Sequence, residues 1–219
     1  FDYTDPGNYN YFTQMADDVH FYGSKLLVNI DLKYPEGYSF DGRAFGPPGM
    51  AGKPVKMLPK EMMPQVIETF LQKVQMFKDF GYDGIAMRVE MLLYPNGRTD
   101  EYGGSLENRL RFLHETLAAV KGRFGKSFLV ELCVAGEQPN GYVGGAQGYT
   151  LEDTIAFAKY MEDVADILQG HPDVLELEWR RVGGALYLAT LGRERRGLVD
   201  AQDGSSVDML APQALAHAA

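Results

Sequence analysis

Apolar positions in this chain change period several times, and the changes alternate. Phe12, Met15, Ala16 and Val19 recur at the spacing of one helix face, and Gly23 follows as a stop. The apolar run at residues 26–30 (LLVNI) then reads as a buried strand. Met63, Val66, Ile67, Phe70, Val74 and Phe77 keep a second helical stripe up to Gly81, with Pro64 tolerable only near the helix start. Residues 84–90 (GIAMRVE) form the next strand. Ser105 can cap a helix that carries Leu106, Leu110, Leu113, Leu117 and Val120 on one face. Residues 127–134 (SFLVELCV) are a third strand, Thr150 and Asp153 a capping box, and residues 165–169 a fourth strand. Residues 33–58 and 136–149 follow neither period and read as loops. Alternating strands and helices demand parallel strands joined by helical crossovers, with the site on the loops that follow the strands. On this pattern alone, a barrel and an open sheet remain equally possible.

Composition narrows the function classes. Acidic residues outnumber basic ones by 30 to 21, a net charge of -9 that would repel both a nucleic-acid backbone and an anionic membrane surface. Cys133 is the one cysteine, and His20, His114, His171 and His217 are scattered, so neither an internal disulfide nor a metal cluster is expected. A reducing, cytoplasmic setting is expected, and no apolar run is long enough to span a membrane. The chain starts at Phe1, which places the expected gene start upstream. After Gly170 there is no Lys, Ile, Phe or Asn, although the preceding part carries ten lysines against six arginines. Residues 1–179 are therefore read as the ordered unit, and 180–219 as an irregular, poorly packed tail. That tail is either an out-of-frame or joined segment or a natural flexible terminus.

Residues 96–112, NGRTDEYGGSLENRLRF, closely resemble the signature after the fourth barrel strand of Old Yellow Enzyme and NADH:flavin oxidoreductase proteins. DDVHFYGSKLLVNI resembles the same family's helix and third strand, FKDFGYDGIAMRV its fourth strand, and KSFLVELCVAGE its fifth. The resemblance spans about residues 10–170 and implies a partial TIM (β/α)8 barrel holding about strands three to six. The signature itself reads as turn and helix-start chemistry. Gly103 and Gly104 allow a sharp turn, and Arg98, Asp100, Glu107, Arg109 and Arg111 could form an ion-pair network that pins the loop.

The resemblance also implies FMN as cofactor, NAD(P)H as electron donor and a small organic acceptor. Asn29 stands where the family has a flavin-contacting glutamine, although an asparagine there can equally satisfy loop backbone. The family's fourth strand ends in a histidine, then a second histidine or asparagine, then a proton-donating tyrosine. Those positions hold Arg88, Met91 and Leu93, so the polar pair for a substrate carbonyl is absent and Tyr94 is the candidate replacement donor. Cys133 takes the place of a flavin-contacting arginine. Arg88 could supply that charge instead, or pair with Glu90 in a structural role, while Cys133 fits a small buried hydrophobe. The phosphate loops of this fold follow the seventh and eighth strands, and nothing after Gly170 resembles them, so only part of an FMN site is expected here. The competing expectation is a catalytically degenerate barrel that acts as a binding or scaffold protein.

Overall fold

The structure, a computed structural model, describes residues 5–42, 55–136 and 148–170, and the backbone alone of strands at 177–182, 185–191, 196–200 and 206–208. The chain enters through a 3-10 turn at Pro6–Asn8, where the Asp5 carboxylate accepts from Gly7 N at 2.9 Å. Helix α1 (Tyr9–Phe21) buries Phe12 and Ala16 and feeds strand β1 (Leu27–Asn29). Two short strands, β2 (Tyr38–Ser39) and β3 (Lys56–Met57), pair in parallel within the segment read as a loop. Helix α2 (Met63–Asp79) carries Pro64 in its first turn, where no amide is needed, and buries Met63, Val66, Phe70, Val74 and Phe77.

Strand β4 (Gly84–Arg88) is followed by a single helical turn, α3 (Glu90–Leu93). The expected strand over 84–90 is therefore shorter by two residues, because Val89 turns out of the extended region at φ -125°, ψ 2°. Helix α4 (Leu106–Phe124) starts as its sequence demands, with Ser105 Oγ accepting from Asn108 N at 3.3 Å, and stops at Gly125, whose φ of 86° favours glycine. Strand β5 (Leu129–Val134) leads to α5 (Leu151–Tyr160), capped reciprocally by Thr150 and Asp153, and then to β6 (Ile167–Gly170).

The four expected strands are parallel neighbours in the order β1-β4-β5-β6. Asn29 stands opposite Ala86, Ala86 opposite Glu131, Arg88 opposite Cys133, and Cys133 opposite Gln169. Side chains alternate between the two faces of a strand. Ile85, Met87, Val89, Val130, Leu132, Val134 and Leu168 are buried in one cluster with Phe70 and Val74 of α2, Leu110, Leu113 and Leu117 of α4, and Phe157 of α5. The alternate residues Ala86, Arg88, Glu131, Cys133 and Gln169 are all more exposed. The helices thus cover one face and leave the other open.

The backbone of the segment read as an irregular tail holds strands. β7 (Leu177–Val182) crosses residue 179, pairs antiparallel with β6, and is followed by β8 (Ala185–Leu191), β9 (Arg196–Asp200) and β10 (Ser206–Asp208) in an antiparallel meander. The packing of these strands' side chains lies outside the described residues, as does most of the loop read at 136–149.

One device opens two of the parallel ladders at the N-terminal end of the sheet. Asp83 N donates to Leu26 O while the Asp83 carboxylate accepts from Leu26 N at 2.9 Å; Asp166 does the same with Val130 O and Val130 N. Lys121 pairs with Asp166. Lys25 Nζ and His20 Nε2 each lie 2.7 Å from Asp83. Burial alone would raise the Asp83 carboxyl, but the hydrogen bonds from Lys25, Leu26 N and His20 outweigh it and hold it down at about 2. A depressed folded-state value contributes stability above the unfolded carboxyl range, and that stability is lost as pH falls through the folded value. Asp83→Asn should therefore cost on the order of 1–2 kcal/mol at neutral pH, discounted for partial solvation. The deficit should shrink as pH falls from about 4 toward 2. Urea unfolding across that range measures it, and a deficit independent of pH would exclude the carboxylate as its source.

Candidate active site

The loop from Tyr94 into α4 is fastened mainly by guanidinium groups on carbonyl oxygens. Arg98, whose side chain is 1% exposed, forks onto Asp100 at 2.9 and 2.5 Å and donates to Phe40 O at 2.5 Å and Leu58 O at 2.9 Å. Its guanidinium stands 5.1 Å over the Phe40 ring. The expected five-member ion-pair network is corrected: Arg98 and Asp100 form the ion pair, Arg109 donates to Leu93 O and Gly104 O, and Arg111 donates to Glu101 O and Asn108 Oδ1. A carbonyl accepts from arginine without needing a second buried charge, which makes it the cheaper partner in a tight turn. Gly103 lies so close to the Arg98 carbonyl that a Cβ there would approach its oxygen to 2.0 Å, and Gly104 adopts a φ of 83°. The signature therefore shapes the turn and ties it to residues 40 and 58.

Asn29, Arg88 and Cys133, the three residues singled out for flavin contact, all lie on the open face near the C-terminal ends of their strands. Asn29 and Arg88 are exposed, and Cys133 is half-buried with Sγ 3.4 Å from Gln169 Oε1 and 3.8 Å from Glu131 Oε1. Burial first, and then the Glu131 and Glu90 carboxylates, push the Cys133 thiol up to about 11, against the pull of Arg88. Cys133 is therefore a neutral thiol at physiological pH and a poor nucleophile. Glu131 and Gln169 complete this face; strand alternation read backward and across from Cys133 would have found both.

A cavity of about 510 Å³ opens at the same end of the sheet. One wall is the segment after β1, including Asp31, Tyr34, Ser39 and Asp41; the other is the end of β4 with α3, including Arg88, Glu90 and Met91. Tyr94 borders it too, yet is 3% exposed and packs edge-on against Tyr149 at 5.3 Å. Burial, with Asp41 nearby, pushes the Tyr34 hydroxyl above its ordinary range. Asn29 does not line this cavity. It borders a second, wider opening of about 700 Å³ along β1, and Asp31 and Leu32 border both. Leu93, which the resemblance implies stands at the family's proton-donor position, is fully buried. Ser39 and Asp41 escaped the sequence reading because their segment has no period. Asp31 shares the parity of Asn29 and was legible. Among the described residues no helix is long and apolar enough to cross a membrane, and no group of three or more His, Cys, Asp or Glu could hold a metal.

Comparison with known proteins bears on the fold and the family. The N,N-dimethylglycine/sarcosine dehydrogenase of Chromohalobacter salexigens is 32% identical over 167 residues, covering 69% of this chain and 23% of that protein. An NADPH dehydrogenase of Bacillus velezensis is 28% identical over 171 residues, covering 69% of this chain and 46% of the relative. The chain thus spans less than half the length of either. Among solved structures, the Old Yellow Enzyme homologue from Zymomonas mobilis matches with a TM-score of 0.56 at 20% identity, over 74% of this chain and 51% of that one. That likeness supports a partial barrel as the fold. The family model for NADH:flavin oxidoreductase / NADH oxidase matches residues 4–179, and the chain belongs to that family.

Proposed function

We propose that the full-length protein is an FMN-dependent oxidoreductase that passes hydride from NAD(P)H, by way of the flavin, to a small organic acceptor. The observation that carries this reading is the grouping of Asn29, Arg88, Cys133 and Gln169 on the open face at the C-terminal ends of adjacent parallel strands, the reactive end of this fold. FMN, when bound, supplies a ring that accepts and donates hydride. The chain's residues fit the ring side of that group. The Asn29 amide offers both a donor and an acceptor to the pyrimidine edge, and the exposed Arg88 guanidinium favours negative charge beside it. Cys133 presents a neutral thiol that tolerates a flat apolar surface. The apolar side chains of Met91 and Leu92 in the adjoining cavity wall limit the entry of water. The phosphate would be held by loops after the seventh and eighth strands, outside the four strands assigned here.

Purified full-length protein should carry yellow flavin absorbance that bleaches on addition of NADH or NADPH and returns with an acceptor. Colourless protein that takes up no FMN on incubation would overturn the proposal. It would favour a scaffold role instead, a reading to which the buried Leu93 and the apolar Met91 at family polar positions lend support.

A further inference from the structure

Strand β5 puts a carboxylate on the face to which the proposed function assigns the flavin. Glu131 and Cys133 are two residues apart, so their side chains leave the strand on the same side. Glu131 stands in register with Ala86 of β4 and Ile167 of β6, two residues before the level at which Arg88, Cys133 and Gln169 lie side by side. Its neighbours Val130 and Leu132 are fully buried in the core, whereas Glu131 is half-buried on the open side. The side-chain contacts agree with this direction. Glu131 Oε1 lies 3.8 Å from Cys133 Sγ, and Gln169 Oε1 lies 3.4 Å from the same sulfur.

A second observation gives the sign of the field on this face. After burial, the Glu131 carboxylate is the strongest influence on the Cys133 thiol, Glu90 is the next, and each outranks the opposing Arg88 guanidinium. The thiol therefore senses a negative potential where the sheet would support the ring. A flat ring resting on Sγ at van der Waals distance would have atoms within about 8 Å of the Glu131 carboxylate. Partly buried charges at that separation are screened only weakly by salt.

We propose that Glu131 lowers the reduction potential of the bound flavin by opposing the negative charge that the ring gains on reduction. This rests on the proposed function, which places the ring on this face. Arg88 and Glu131 act in opposite directions from neighbouring strands: the guanidinium favours the reduced ring and the carboxylate disfavours it. The oxidised ring carries no charge, so the carboxylate discriminates between the two forms, and only such discrimination shifts an equilibrium. The reduced ring is thereby a stronger reductant toward the acceptor.

The test uses full-length protein loaded with FMN. Glu131→Gln keeps the size of the side chain and removes its charge. Reduced FMN should bind about tenfold more tightly while oxidised FMN changes less than about twofold, which for a two-electron couple raises the midpoint potential by about 30 mV. Glu131→Asp, which retains the charge, should restore most of the lower potential. Glu68→Gln, in the outer helix layer where Glu68 pairs with Arg123, should leave the potential unchanged. A merely structural role for Glu131 would move both affinities together and leave the potential where it was. The rate of Cys133 alkylation against pH, read as the difference from Cys133→Ser, is a second measurement that needs no flavin. In the unmodified protein the thiol should ionise well above its ordinary range, and in Glu131→Gln the value should fall. A thiol that ionises in its ordinary range, or an unchanged or lower potential in Glu131→Gln, overturns this role of Glu131 and leaves the oxidoreductase reading intact. Protein that takes up no FMN removes that reading, and the role of Glu131 with it.

Discussion

Replacing Arg98 with methionine should cost about 3–5 kcal/mol, the range for breaking a buried ion pair from one side. The side chain is 1% exposed, so water cannot take over its contacts. The Phe40 and Leu58 carbonyls, which accept from Nη1 at 2.5 and 2.9 Å, would lose that donor in the interior. Asp100 would suffer less, because its own side chain is 27% exposed and can be resolvated. Two buried acceptors at about 1–3 kcal/mol each already account for most of the loss. Lysine should recover only part of it, since a single ammonium cannot fork onto Asp100 and also reach both carbonyls. Urea unfolding of the two variants measures the cost, and hydrogen exchange at the β2–β3 pair locates it. A loss below about 1 kcal/mol for Arg98→Met would show that the loop holds without its guanidinium.

This residue also shows where sequence reading reaches its limit. The signature 96–112 was legible as a turn and helix start, because the glycine, serine and arginine roles are local. The segment 33–58 was legible only as a loop without period, yet it holds a parallel pair and the buried Phe40 and Leu58. What orders it is a side chain 58 positions from Phe40 and 40 from Leu58, and a contact at that separation leaves no mark in local periodicity. The parallel sheet was readable for the opposite reason. Each of its strands carries an alternate apolar face, Ile85 and Met87 in β4 or Val130, Leu132 and Val134 in β5, that has to meet a helix. Asn29, Arg88 and Cys133, named through the family resemblance, fall on one face of the sheet by the same alternation. It could not show that Asn29 and Arg88 border different openings, since that depends on how residues 31–41 fold back over β4.

Arg88→Met in the full-length protein should weaken FMN binding about tenfold, the loss expected for one hydrogen bond to a charged group. If the loss falls on the reduced form alone, the midpoint potential should instead drop by about 30 mV. Arg88 is exposed on the open face at the last position of β4, opposite the neutral thiol of Cys133, a position where the family resemblance implies an arginine. With that second cation gone, the negative charge of a reduced flavin would have Arg88 as the positive group on this part of the face, among Glu90 and Glu131. Methionine preserves the length and packing of the aliphatic stem, so a change traces to the charge and not to a collapsed strand. Arg88→Lys supplies the control: it retains the charge without the fork and should restore most of the potential, though less of the affinity. Spectroelectrochemical titration of the three proteins reads both quantities. If Arg88→Met binds and reduces FMN as the unmodified protein does, the guanidinium serves the structure of the strand end and the flavin draws its positive charge from elsewhere.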